Sequence, residues 1–410
     1  MLIVFLVIVL DLIGFGIMVP ILAYYVVQLG GGPELATFCM ALYAIGMLVS
    51  TPVLGRLSDY YGRRPILMIS MVGAILGYLM LGFATSLWVV AFSRLLAGLM
   101  AGNIAAAQAY ITDITTEADR AKGMGLIGAG FGLGFIIGPA LGSYLAGDDF
   151  ATANLFLPAM LSAAMSGAAF LAIVFFLPES LERKHRDDLR AQPKPGRIAI
   201  LRQFWDRPLI PHFLVGVLIY NLGAGLVESI YPLWVRDTGI ALGPRDLTPL
   251  LLVGGIVLAG IQGGAIGPLT RAWGEHRLFQ IGALGFSAAM VATVVAGTYG
   301  SYYWAMAALA LQSAAAALIL TSMQSLVSQC AGPTERGMVL GLYSSAGTLG
   351  RALGTLVTGV IFARIHIQSP YATTAVTMIC LFFLARSVQS HWAIHRPAQA
   401  TAPNDLSCHQ

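Results

Sequence analysis

Two acidic residues lie inside long apolar runs of this chain, where a charge is costly and a function is the first explanation to consider. Asp11 stands within residues 10–16, and Glu228 follows a run of glycine, leucine and valine. A carboxyl group among apolar atoms favours its neutral form, so it can hold a proton and release it when water or a cation arrives. Both are therefore predicted proton-binding sites. Each carboxylate could instead clamp two helices; for Asp11 both interpretations stay open, because Gly14 and Gly16 favour tight packing.

Polar side chains and two arginines, Arg94 and Arg351, also lie inside apolar runs. At helical spacing, a polar stripe consists of Ser344, Thr348, Arg351, Thr355 and Thr358. A stripe facing lipid would be very unfavourable, so we expect these side chains, and Arg94 likewise, to border a water-filled cavity. Hydrogen bonds between helices would explain the hydroxyl groups but less easily the arginine. The predicted cavity residues are Asn103, Gln108, Asn221, Tyr231, Arg351 and Thr355.

The elements that must position these residues are transmembrane helices. Hydrophobic residues make up 57% of the 410 residues and charged residues only 10%, with a mean hydropathy of +0.78. Soluble domains carry about 25% charged residues, so an ordinary cytosolic enzyme and a nucleic-acid binder with a dense basic face are excluded. Apolar runs of about 20 residues, enough to cross a bilayer, predict helices near 2–25, 36–56, 65–84, 87–112, 122–146, 154–177, 209–235, 247–270, 278–297, 301–327, 337–362 and 371–390.

A long polar stretch divides these helices into six plus six. The predicted organisation is an N-terminal bundle at 1–177, a cytoplasmic linker at 178–208, a C-terminal bundle at 209–392 and a cytoplasmic tail at 393–410. Most of the 23 lysines and arginines fall in the linker, the tail and the loops on the same side as both. Because positive loops stay inside, both termini are expected in the cytoplasm. A bacterial inner membrane is the simplest host; an organelle membrane is the alternative.

The two halves repeat each other. Residues 55–64 and 267–276 align at an offset of 212, with glycine, leucine, a hydroxyl residue and glycine in register. In the second copy Asp59 is replaced by Arg271, and Arg63 by Glu275. Two parallel repeats related by an axis along the membrane normal are a known transporter plan, with the substrate site between them. The predicted fold is therefore an all-α membrane protein with twelve transmembrane helices in two pseudo-symmetric six-helix bundles.

Other chemistries lack their residue patterns. No Gly-Lys-Ser or Gly-Lys-Thr phosphate loop is present, and the four cysteines form no Cys-x-x-Cys pair. We therefore expect no catalytic activity, no metal, no cofactor, no ATP and no nucleic acid. The expected energy source is a proton gradient, and the expected partners are a small-molecule substrate, protons and membrane lipid.

The predicted fifth helix carries glycines at every fourth position, including Gly134, Gly138 and Gly142, with Pro139 among them. Small residues at this spacing let helix backbones approach closely, and proline removes a backbone donor and kinks a helix. Close packing alone is one interpretation. Packing with a bend better suits a helix that seals or pivots at the interface of the two halves.

Several of these motifs resemble those of the major facilitator superfamily. The stretch Gly55-x-Leu57-x-Asp59-x-x-Gly62-Arg63-Arg64 is similar to the family's loop signature between its second and third spans. Arg94-x-x-x-Gly98-x-x-x-Gly102 is similar to the fourth-span motif of proton-coupled members, and Gly134-x-x-x-Gly138-Pro139-x-x-Gly142 to the fifth-span motif of drug:proton antiporters. Asp11-x-x-Gly14-x-Gly16-x-x-x-Pro20 is similar to the first-span motif of twelve-span exporters. The resemblance covers nearly the whole chain and is densest over residues 1–180.

The resemblance implies roles for individual residues. It places Asp59 and Arg63, with Gly55, Gly62 and Arg64 around them, in a cytoplasmic gate. It implies that Arg94 takes part in proton coupling and that Gly138 and Pro139 bend the fifth helix. The first half looks most like tetracycline exporters, which carry an acid in the third span. The matching residues 75–78 contain no acid, which argues against tetracycline as the substrate.

The sequence therefore predicts a proton-coupled exporter of a small, largely apolar compound that works by alternating access. One alternative is proton-coupled or facilitated uptake of a small metabolite, since fold does not decide direction. The other is a transporter-like scaffold or receptor that has lost transport.

Overall fold

The computed structural model describes residues 1–181, 205, 207, 209–331 and 335–394. This part of the chain contains twelve spans long and apolar enough to cross a membrane, which confirms the predicted fold class. The helices of spans 1 to 6 are Leu2–Met18 with Leu22–Gln28, Pro33–Tyr61, Arg63–Gly82, Leu87–Met100 with Asn103–Ile114, Glu117–Ala146 and Phe156–Phe176. Those of spans 7 to 12 are Ile210–Glu228 with Tyr231–Asp237, Leu247–Gly260 with Ile266–Trp273, Glu275–Tyr299, Tyr302–Gln329, Arg336–Arg364 and Ser369–Ile394.

The predicted linker and tail fall largely outside the described residues. Of the linker, 178–208, only residues 178–181, 205 and 207 are described, and the tail is described to residue 394.

Four spans are interrupted where hydropathy predicts continuous helices. Span 1 breaks around Pro20, which has no backbone N–H to donate to the preceding turn. Span 4 resumes at Asn103, span 7 breaks directly after Glu228, and span 8 contains the π-helical turn Ile261–Ala265. Hydropathy averages over such breaks, because the flanking residues stay apolar. The breaks in spans 4 and 7 place two predicted site residues, Asn103 and Glu228, at helix ends.

The two halves pack in the same way. Span 1 contacts spans 5 and 6, span 2 contacts span 4, and span 3 contacts spans 4 and 6. In the second half span 7 contacts spans 11 and 12, span 8 contacts span 10, and span 9 contacts spans 10 and 12. Adding six to each number converts one set into the other. The repeat seen between residues 55–64 and 267–276 therefore extends to the helix arrangement.

The halves are joined at the side predicted to be extracellular. Spans 2 and 11 and spans 5 and 8 form the two interfaces between the halves. The Tyr24 hydroxyl donates to the Pro232 carbonyl oxygen at 2.8 Å, and Arg245 forms an ion pair with Asp148 at 2.8 Å. Thr248 of span 8 also donates to the Ala140 carbonyl oxygen of span 5 at 3.3 Å. This side of the molecule is therefore closed.

The same interface helices lack close neighbours toward the predicted cytoplasmic side. Among the described residues, no atom outside the local helix lies within 4 Å of the position that a side chain would take at Gly128 of span 5, Gly264 of span 8 or Gly341 of span 11. Toward the other side of the membrane, a side chain at Gly255 of span 8 would lie 2.5 Å from the Ile136 side chain of span 5. The structure thus has an inward-open arrangement, in the orientation that the loop charges predict.

Candidate functional site

An ion pair joins spans 7 and 11 in the second half. Glu228, the last residue of its helix, pairs directly with Nη1 of Arg351. Their side chains are 34% and 39% exposed. Because a charged pair facing hydrocarbon would be very unfavourable, this exposed surface borders water between the halves. The structure thus pairs two of the buried charges that the sequence singles out.

Glycines position this pair by letting two backbones touch. A side chain at Gly225 would lie 2.6 Å from the Arg351 carbonyl oxygen. Thr355 is buried beside the same glycine, and the Thr358 hydroxyl donates to the Leu226 carbonyl oxygen at 2.5 Å. The expectation that the whole polar stripe borders a cavity is therefore wrong for Thr355 and Thr358. These two hydroxyl residues lie between helices, because the stripe turns into the interface of spans 7 and 11.

The first half holds its acid in a different setting. Nδ2 of Asn103 donates to Oδ2 of Asp11 at 3.1 Å. A cavity of about 20 Å³ adjoins them, lined among others by Phe15, Tyr43 and Tyr78, which is room for about one water molecule. Among the residues that the structure describes, no cation lies within ion-pair distance of Asp11. This carboxyl group therefore has one amide partner and no charge partner.

Arg94 lies inside the first half, not on a cavity. It is only 3% exposed, and its guanidinium carbon lies 5.7 Å from the centre of the Tyr78 ring. Its Nε and Nη2 atoms have no hydrogen-bond partner within the described parts of the chain. The expectation that Arg94 borders a cavity is thus wrong for this conformation. Gly98, one turn later, packs against the Tyr43 carbonyl oxygen, which draws span 4 and Arg94 inward against span 2.

Two tyrosines connect Asp11 with Arg94, and the sequence analysis missed their role. Tyr43 and Tyr78 each lie within electrostatic range of both the acid and the arginine. Tyr78 belongs to the stretch where tetracycline exporters carry an acid, so its position in that stretch was an available signal. A tyrosine inside an apolar run usually indicates packing, which is why composition does not single it out.

The other predicted cavity residues are dispersed. Gln108 is exposed and lies in the second helix of span 4, whereas Arg94 lies in the first. Asn221 donates to the Val217 carbonyl oxygen of its own helix at 2.9 Å and is partly exposed. Tyr231 is 8% exposed and stacks on Trp234, with ring centres 5.7 Å apart, in the closed outer end. Tyr231 is therefore not part of the open site in this conformation, because it follows the break in span 7.

The predicted gate loop is bound to its own half. Gly62 has a φ of 105°, which favours glycine. Arg63 forms ion pairs with Asp59 at 2.5 Å and with Asp113 of span 4 at 3.1 Å. The Glu179 carboxylate accepts the backbone N–H groups of Arg63 at 2.9 Å and Arg64 at 3.2 Å. These bonds connect the loop to spans 4 and 6.

Two partners of this loop, Asp113 and Glu179, were not predicted as site residues. Arg64 adds a bond of 2.6 Å to the Val174 carbonyl oxygen of span 6, and Gly55 lies beside Ala105 of span 4. The signal for Glu179 was its place directly after the sixth span. The bonds hold the loop within the first half, as an open cytoplasmic side requires.

The fifth-span glycines face span 1, not the other half. A side chain at Gly134 would lie 2.5 Å from Cβ of Leu12, and one at Gly138 would lie 2.7 Å from Cα of Gly16. Gly142 packs in the same way against the Ile17 carbonyl oxygen, and the helix continues through Pro139. The glycines therefore pack spans 1 and 5 closely, which is the first of the two interpretations, and they do not themselves face the other half. Span 5 does reach span 8, but through other residues, because its two faces serve different neighbours.

Among the described residues, no group of three or more histidine, cysteine, aspartate or glutamate residues could hold a metal ion. The described residues of the site are charged and polar side chains. The second half holds the ion pair of Glu228 and Arg351, and in the first half neither Asp11 nor Arg94 forms an ion pair with a described residue. Such groups can bind protons and a polar part of a ligand.

Comparisons with known proteins agree with this geometry. The sequence model of the Major Facilitator Superfamily matches residues 4–310 and 263–404. Multidrug resistance protein 2 of Bacillus subtilis (strain 168) is 28% identical over 371 residues, covering 90% of this chain and 89% of that protein. Tetracycline resistance protein, class E, of Escherichia coli is 29% identical over 362 residues, covering 86% and 85%.

Solved structures share the fold at lower identity. The human organic anion transporter MFSD10 (TETRAN) superposes with a TM-score of 0.68 at 22% identity, covering 94% of this chain and 98% of that one. The peptide transporter POT gives a TM-score of 0.77 at 14% identity, covering 95% and 94%. Twelve spans in two matching halves, charges buried between them and a family match over most of the chain lead to one conclusion: this multi-pass membrane protein belongs to the Major Facilitator Superfamily of transporters.

Proposed function

We propose that the protein exports a small, largely apolar compound, with a cationic drug-like molecule as the first candidate, in exchange for protons. The observation that carries this proposal is the unequal treatment of the two buried acids. Glu228 is paired with Arg351, whereas within the described part of the chain Asp11 bonds only to the Asn103 amide. Relatives named as multidrug and tetracycline resistance proteins support export over uptake.

The pairing assigns different tasks to the two acids. A proton on Glu228 would first have to break its ion pair with Arg351, which joins spans 7 and 11. Asp11 can gain or lose a proton without breaking one, so we assign proton binding to Asp11. Arg94 lies 5.7 Å from the centre of the Tyr78 ring, and Tyr78 lines the same small cavity as Asp11, so we assign Arg94 a supporting role in release of that proton.

The cycle follows from this assignment. In the inward-open state, substrate binds between the halves near Gln108, Asn221 and the Glu228–Arg351 pair. Its binding favours loss of the proton from Asp11 to the cytoplasm. The halves then rock, the outer contacts break, and the cytoplasmic ends close. Substrate leaves, a proton from outside neutralises Asp11, and the neutral site allows return.

Transport in vesicles tests this proposal. The purified protein is placed in liposomes, and movement of ethidium, a lipophilic cationic probe, is followed under pH gradients of either sign. We expect ethidium to accumulate in the compartment with the higher proton concentration, because protons leave that compartment in exchange for ethidium. Movement in the same direction as the proton flow would support uptake by symport, and no movement above empty liposomes would support the scaffold alternative.

A cross-link across the closed outer side should stop transport. Asp148 and Arg245 lie on opposite halves with their side chains in contact, so cysteines there can be joined by a short bis-maleimide. The four native cysteines are first replaced by alanine. We expect joined protein to retain probe binding from the cytoplasmic side but to lose export, because the halves can no longer separate.

The control joins two helices of one half. Gln280 is partly exposed and Gln389 is exposed, and their side chains are 2.7 Å apart in the second half. A cross-link between cysteines at these positions should leave export largely intact. Equal loss of export in both cross-linked proteins would contradict rocking of rigid halves.

A further inference from the structure

A second polar site lies away from the central one, at the cytoplasmic ends of spans 8, 9 and 10. A groove of about 410 Å³ opens between the last turns of span 8, the first residue of span 9 and the face of span 10. Its polar lining includes Arg271, Glu275, Ser322 and Ser325. None of these side chains contacts the predicted transport site.

The internal repeat explains why this groove exists. In the first half the matching place is filled by Arg63, which is 5% exposed and forms ion pairs with Asp59 and Asp113. At the offset of 212 residues, Glu275 replaces Arg63 and Ser325 replaces Asp113. The contact between the two positions is kept, since the Ser325 hydroxyl donates to Glu275 at 2.5 Å. Shorter side chains make this contact, so space remains where the arginine would lie.

The two charged residues of the groove, Arg271 and Glu275, have no partner of opposite charge among the described residues. Arg271 is exposed and forms no ion pair with any residue that the structure describes. Glu275 is bonded to two neutral groups, the Ser325 hydroxyl and Nε2 of Gln329 at 2.7 Å. The hydroxyl of Ser322 is buried and has no hydrogen-bond partner within the described part of the chain. A buried hydroxyl without a partner costs free energy, so it favours a ligand.

We propose that this groove binds the phosphoethanolamine headgroup of a phospholipid from the cytoplasmic leaflet. The phosphate would bind to Arg271 and the hydroxyl of Ser322, because guanidinium groups bind phosphate through paired N–H donors. The ammonium group would bind to the Glu275 carboxylate. A purely anionic group would lie against Glu275, and a purely cationic one against Arg271. A zwitterion matches both charges.

The position of the groove favours a lipid over a soluble ligand. Arg271 and Glu275 flank the turn at Gly274, where one membrane span ends and the next begins. Trp273 beside them is 48% exposed, and tryptophan is enriched where a membrane meets water. Ile266 extends the lining toward the membrane core. The headgroup can thus lie in the groove while the acyl chains stay in the bilayer.

Ligand stabilisation of the purified full-length protein tests this proposal. Tm is measured in detergent with added phosphatidylethanolamine, phosphatidylcholine, phosphatidylglycerol or soluble phosphoethanolamine, because a ligand of the folded state raises Tm. We expect phosphatidylethanolamine to raise Tm most. Phosphatidylcholine lacks N–H donors for Glu275, and phosphatidylglycerol lacks the ammonium group. An equal rise with phosphatidylglycerol or with soluble phosphoethanolamine would overturn the assignment to a zwitterionic lipid.

Three variants connect the effect to the groove. Arg271→Gln and Glu275→Gln should each weaken phosphatidylethanolamine binding about tenfold, the usual effect of losing one charge-assisted hydrogen bond. Ser322→Ala should weaken it less and disturbs folding little, so it tests the site even if a charge variant is unstable. The matched control is Arg386→Gln, which removes an exposed arginine at the inner end of span 12. Binding that is unchanged in all three variants, or equally reduced in the control, would reject the site.

Discussion

Asp11→Asn is expected to reduce proton-driven export of ethidium to the level of empty liposomes. The amide has nearly the same shape and can still bond to Asn103, which contacts Asp11 at 3.1 Å. It cannot take up or release a proton at any working pH. Because no cation pairs with Asp11 among the described residues, the substitution leaves no buried charge unpaired. Folding and insertion should therefore be preserved.

Exchange without a gradient separates coupling from transport. With probe on both sides and no pH difference, Asp11→Asn should still exchange labelled for unlabelled ethidium, since the halves can rock with a neutral site. Glu228→Gln should lose both activities, because it leaves Arg351 without its charge partner and removes the ion pair that joins spans 7 and 11. The control is Asp149→Asn, in an exposed outer loop, which should resemble the unmodified protein.

The outcome distinguishes the two acids. Normal gradient-driven export by Asp11→Asn would remove Asp11 from the coupling scheme. If Glu228→Gln then lost only the gradient-driven component and kept exchange, the proton would belong to Glu228. The pairing with Arg351 would in that case have to break during each cycle.

Gly138→Ala is expected to destabilise the protein by about 3 kcal/mol, the upper part of the range for overpacking a well-packed site. The added methyl group would lie 2.7 Å from Cα of Gly16 and 2.8 Å from the Ile13 carbonyl oxygen. Both neighbours are backbone atoms, so no side chain can rotate away. Spans 1 and 5 would have to separate, which would also move Asp11. The measurement is thermal unfolding of the purified protein in detergent.

The matched control lies on the same helix. Gly128→Ala adds the same methyl group where no described atom outside the local helix lies within 4 Å. Alanine has the higher helix propensity, so this variant should unfold at the same temperature as the unmodified protein or slightly higher. Similar losses in both variants would show that the destabilisation does not come from the contact between Gly138 and Gly16.

Much of the architecture could be predicted because it depends on local composition. A span needs about 20 apolar residues, and hydrophobicity and loop charge are read without knowing any neighbour. The twelve spans follow from this, and the similarity of residues 55–64 and 267–276 predicts their repeated arrangement. The acids and arginines that matter were also identifiable, because any charge inside an apolar run stands out.

The partner of each charge was decided only by the tertiary structure. Glu228 and Arg351 are 123 residues apart in the chain and meet because Gly225 allows two helices to touch. Arg94 has no acidic partner among the described residues, because its helix packs inward on span 2. The glycines of span 5 face span 1, and Glu275 leaves a groove where Arg63 fills one. Such outcomes depend on which helix face meets which neighbour, and periodicity identifies a face but never the surface opposite it.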